Sequence, residues 1–95
     1  MEKMDQAKMS ESRIGVVGIV IDNPNEEAEK VNVILHEYAH VIVGRMGIPY
    51  RSKGVSVIAL TVDGTNEDIG AMTGKIGQLK HVMVKTALTP QKNTN

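Results

Sequence analysis

His36-Glu37-Tyr38-Ala39-His40 is an H-E-x-x-H string flanked by apolar residues, and it is the stretch of this chain best suited to chemistry. On a continuous helix its two imidazoles stand one turn apart and hold zinc, with a carboxylate as general base. The longer signature of zinc proteases continues with a glycine and a third histidine. This chain has Val43 and Met46 there. The zinc reading therefore depends on whether residues 36–43 are helical throughout.

Composition removes other chemistries. With no cysteine there is no disulfide, no thiolate zinc site and no cysteine nucleophile. This usage suits a reducing cytosol, so a cytoplasmic location is expected. Eleven basic residues balance eleven acidic ones, so no basic face advertises itself to phosphate backbones and direct nucleic-acid binding is not expected. No apolar run approaches the roughly 20 residues that span a bilayer, and the polar N-terminus lacks the apolar centre of a signal peptide. Gly70 to Lys75 resembles a phosphate loop but is one residue too short, and Ile76 stands where the magnesium-binding hydroxyl belongs. Ninety-five residues make one small domain, large enough for a single core but too small for a core plus a long hydrolase cleft.

The elements that must position these residues can be read in order. Residues 1–12 are polar without an apolar period and are expected to be a flexible arm. Arg13 to Asp22 is a β-branched strand, apolar on both faces. Asn23 suits a cap, Pro24 the first helical position, and Glu26 and Glu27 the positive end of the dipole. Ala28, Val31, Leu35 and Tyr38 then keep helical spacing to Glu37 or Tyr38. Val41-Ile42-Val43, with Gly44 and Gly47-Ile48-Pro49 behind it, is a poor continuation of a helix and a good strand, read here from His40. A polar turn, Tyr50 to Gly54, leads into a third strand, Val55 to Val62, as an antiparallel hairpin. Asp63 to Asp68 reads as a turn in which Thr65 or Asn66 caps a second helix, ending near Gln78 or Leu79. Lys80 to Leu88 is the last strand, and residues 90–95 are expected to be a flexible tail beyond a domain of residues 13–89.

The order β-α-β-β-α-β is the α+β, ferredoxin-like arrangement, a four-stranded antiparallel sheet with two helices on one face and the first and third strands central. In it His36 lies on a helix and His40 on an edge strand. His81 begins the opposite edge, three strand spacings or roughly 14 Å away, too far to share one ion within a chain. A metal held by histidines of different subunits stays open. The uncovered sheet face remains apolar whichever way the first strand turns, which points to a homo-oligomer, dimer or tetramer. On the second helix Ile69, Met72, Ile76 and Leu79 form the core stripe. Gly70, Gly74 and Gly77 form a bare ridge opposite, suited to close approach of another helix or of a ligand.

Leu35-His36-Glu37-Tyr38, Gly44-Arg45-Met46-Gly47-Ile48-Pro49-Tyr50, Val55-Ser56-Val57-Ile58 and Asp68 to Gly77 together resemble the small regulators of the iron-only hydrogenase system. The resemblance covers residues 13–88. It implies a single ACT-like domain, similar to the C-terminal domain of nickel-responsive repressors, with a non-enzymatic regulatory or ligand-sensing role and no cofactor. Small-molecule binding at a subunit boundary is then expected near Asn23 and Pro24, where ACT-type domains receive ligands, and near Gly44, Arg45, Tyr50 and Arg51. The arginines and Tyr50 offer charge and stacking to an anion. A ligand-free scaffolding oligomer and a small zinc hydrolase are the alternatives.

Overall fold

The computed structural model describes residues 12–22 and 24–90. The expected flexible arm apart from Ser12, the tail from residue 91 and the candidate Asn23 lie outside the described residues. Strand β1 (Ser12–Asp22) runs down the middle, followed by helix α1 (Pro24–Glu37), β2 (Ile42–Tyr50), β3 (Val55–Thr65), helix α2 (Asn66–Gly77) and β4 (Val82–Leu88). The sheet order is β2-β3-β1-β4, antiparallel throughout, with both helices on one face: the expected ferredoxin-like fold.

The pleat resolves the ambiguity of a first strand apolar on both sides. Val17, Ile19 and Ile21 point toward the helices and are fully buried, whereas Ile14, Val16 and Val20 point the other way and stay exposed. The inward set joins Ile58, Leu60 and Val62 of β3, Val31 and Leu35 of α1, and Ile69, Met72 and Ile76 of α2 in one core. The second helix is capped as expected, with Thr65 Oγ1 accepting from the Asp68 N–H at 3.0 Å.

Helix α1 closes where the β-branched triplet begins to dominate. The Tyr38 N–H still reaches the Ile34 carbonyl, but Ala39–Val41 tightens into a 3₁₀ turn, and the strand opens at Ile42 rather than His40. That turn drops the Val41 side chain into the core beside Gly64. A Cβ at Gly64 would stand 2.6 Å from Val41 Cγ1, so only glycine lets the chain cross here. The expected Asp63-Gly64 turn is instead the end of β3, because Asp63, Gly64 and Thr65 go on pairing with Ile14, Arg13 and Ser12. Strand β4 starts two residues later than expected. His81 takes a left-handed φ of 63° and offers its carbonyl to the Asp22 N–H at 2.8 Å.

A bulge between Ile42 and Gly44 resets β2. It adds one residue against β3, so every side chain after Val43 changes face. Arg45, paired with Leu60, is sent to the helix side, and Met46, Ile48 and Tyr50, paired with Ala59, Val57 and Val55, go to the open side.

Candidate functional site

The H-E-x-x-H string is split by the end of α1. His36 and Glu37 occupy its last turn, and His40 lies in the 3₁₀ turn beyond it, so the two imidazoles do not share a helical face. His40 Nε2 lies 3.3 Å from Asp68 Oδ2 of α2, and its ring stacks on Tyr38 with centroids 6.2 Å apart. Glu37 faces Lys75, whose Nζ is 3.6 Å from Oε1 and 5.1 Å above the Tyr38 ring. Tyr38 first, then Glu37, holds the Lys75 ammonium above the ordinary lysine pKa. These five residues tie the end of α1 to α2, and Glu37 is engaged in that tie. His81 lies in the turn between α2 and β4. Among the described residues no group of three or more histidine, aspartate or glutamate side chains could hold a metal ion.

The expected ligand positions do not converge on one place. Gly44 and Tyr50 lie on the open face of the sheet, Arg45 on the helix side, Arg51 in the 3₁₀ turn at the hairpin tip, and Pro24 at the start of α1. Tyr50, Val55 and Asp22 form one row across the sheet, so Tyr50 and the junction of β1 with α1 share one end of it. Arg45 is held by α1, its Nη2 donating to Asn32 Oδ1 at 2.9 Å.

The open face of the sheet is apolar across its width. Three neighbouring rows cross all four strands: Gly44-Thr61-Val16-Ala87, Met46-Ala59-Gly18-Lys85 and Ile48-Val57-Val20-Met83. Of these twelve positions only Lys85 is charged, and Val16, Met46, Ile48 and Met83 are each more than half exposed. An apolar surface of this continuity is unusual for a protein that meets only water. The ridge Gly70 and Gly74 on α2 faces open space, with no atom of the chain within 4 Å of an added Cβ; Gly77 lies against Val84.

Sequence reasoning missed Glu27, which it placed at the helix dipole. Glu27 is buried at 7% exposure, with Oε1 accepting from Lys30 at 3.3 Å and Oε2 without a hydrogen bond. Its burial depends on how α1 is rolled on the sheet, for which the sequence carries no signal. Among the described residues no helix is long and apolar enough to cross a membrane.

Residues 13–86 match the model of the TM1266-like family, described as "Iron-only hydrogenase system regulator, putative". This span contains the segments that carry the resemblance noted above. The solved structure of the uncharacterized protein TM1266 from Thermotoga maritima is 34% identical, with a TM-score of 0.81 over 84% of this chain and 100% of that one. The ACT domain from GTP pyrophosphokinase of Chlorobium tepidum is 13% identical, with a TM-score of 0.67 over 80% of this chain and 99% of that one. The apo form of CPII from Thiomonas intermedia K12, a nitrogen regulatory PII-like protein, is 11% identical, with a TM-score of 0.50 over 81% and 91%. At such identities the last two share the fold. A comparison with curated proteins returned no match.

Proposed function

Because the chain belongs to the TM1266-like family of iron-only hydrogenase system regulators, we propose that it is a non-enzymatic regulatory module whose working form is a homo-oligomer built on the open sheet face. The observation that carries this reading is the continuity of the three apolar rows across all four strands. Four strands about 4.8 Å apart give a plane on the order of 19 by 30 Å. That is about 570 Å² in projection, of the same order as the ~800 Å² per partner of a standard interface. Gly18 and Ala59 keep the centre of this plane low, which suits close approach of a second backbone. Two copies sharing this face remove both apolar surfaces from water at once.

Ligand sensing belongs to the same reading. The end of the sheet that carries Tyr50, with Arg51 beyond it and Pro24 at the start of α1, is where a small anion would meet two subunits. Of the expected glycine ridge, Gly70 and Gly74 are the surface assigned to helix contact in an assembly larger than two copies, Gly77 being turned to Val84 of its own chain. The tie to the hydrogenase system is taken from the family description, and the cytoplasmic setting is the expectation drawn from the absence of cysteine.

Light scattering on the purified chain, followed by a thermal-shift screen of amino acids, nucleotides and metal ions, tests the reading. An oligomer stabilised by one class of compound supports a sensor, since a ligand specific to the folded form raises stability by mass action. A monomer at micromolar concentration rejects the assembly. An oligomer that no compound stabilises favours a scaffold.

A further inference from the structure

Strand β2 lies outside the cover of the helices, and a groove of about 370 Å³ opens between it and the flank of α1, lined by Asn32, Leu35, His36, Ala39, Ile42 and Arg45. The bulge that sends Arg45 to this side of the sheet also builds the groove's polar wall. We propose that the groove binds a small monocarboxylate, its carboxylate on Arg45 and His36 and its short aliphatic chain over Ala39 and Ile42.

Each part of that assignment has a separate reason. Among the described residues Arg45 makes no ion pair, and its hydrogen bond to Asn32 Oδ1 uses one Nη2 N–H on the groove side. The rest of the guanidinium fork is exposed and can form the two parallel hydrogen bonds of a carboxylate. His36 lies one helical turn beyond Asn32 on the same flank, and its imidazole N–H supplies a further donor. Ala39 and Ile42 leave apolar surface in the groove above the buried Leu35, which favours a ligand that carries hydrocarbon as well as charge. No acidic side chain lines the groove, so the ammonium of an α-amino acid would find no partner there. A dianion such as phosphate would set its hydration shell against that apolar floor.

The inference rests on the regulatory reading for its purpose alone. The groove lies on the helix side of the sheet, away from the proposed subunit contact, so its test is independent of the oligomeric state. Amide chemical shifts of the full chain are followed as sodium butyrate is added at constant ionic strength, with α-aminobutyrate, inorganic phosphate and chloride as separate titrants. The expected result is saturable shifts centred on Asn32, His36 and Arg45 with butyrate. Arg45→Gln weakens them by about tenfold or more, as loss of a bidentate charge-assisted pair requires. Arg45 is exposed, and an unchanged circular dichroism melt shows that the variant is folded. The proposal is overturned by absent or unsaturable shifts, by binding that survives Arg45→Gln, or by an equal response to phosphate, chloride or α-aminobutyrate.

Discussion

His40 finds its partner in Asp68, 28 residues along the chain, and not in His36, four residues back: Nε2 and Oδ2 are 3.3 Å apart across the junction of the two helices. Both side chains are about half exposed, at 61% and 46%, so the pair is solvated. His40→Ala should therefore cost at most about 1 kcal/mol. Zinc should leave the thermal midpoint of the wild type and of His36→Ala alike. A zinc-dependent rise abolished by His36→Ala would restore the metal site.

Lys75 provides the pH dependence. Tyr38 and Glu37 raise its folded pKa above the ordinary 10.5, so its contribution is present at neutral pH, below the unfolded value, and is lost only as pH rises through the raised folded value. Denaturation curves of the wild type and Lys75→Met should differ at neutral pH and converge on the alkaline side. A difference that persists undiminished on the alkaline side would contradict the arrangement.

The glycines should respond in opposite ways. An added methyl at Gly64 meets Val41, and one at Gly15 meets the Ala87 carbonyl and Leu88, so either alanine variant should lose about 1–3 kcal/mol through overpacking. At Gly70 and Gly74 nothing stands in the way, and alanine should add up to about 1 kcal/mol each in helix propensity. The same two changes should leave a dimer intact and deplete any larger species. Urea midpoints and light scattering read the two effects separately.

His81 holds a conformation that side chains other than glycine resist. His81→Gly should stabilise the fold by about 1 kcal/mol, and His81→Val should destabilise it. Thermal denaturation checks the sign of both changes. Stabilisation by valine would mean that the left-handed turn is not kept.

Much of this architecture was legible along the chain, and the parts that were not have a common cause. Val41-Ile42-Val43 with its following glycines is enough to end α1 before His40, and Thr65 announces its cap. The parity of β2 was hidden, since one extra residue at the bulge exchanges the faces of Arg45 and Tyr50 without altering any local pattern. Which side of β1 meets the helices was hidden too, because Val16 and Val17 are equally good strand residues. The long β3 arises from pairing with β1 that overrides the turn character of Asp63-Gly64. The Arg45 to Asn32 bond and the Glu27 burial depend on how α1 lies on the sheet, which no spacing within one element encodes.

Val16 stands near the middle of the open face, 54% exposed and unneeded by the chain's own core. Sedimentation of Val16→Lys beside the wild type at equal concentration, with folding followed by circular dichroism, is the most direct test of assembly through that face. The account predicts an oligomeric wild type and a folded, monomeric variant. A variant that keeps the wild-type oligomeric state, with lysine placed on the proposed contact, would contradict it.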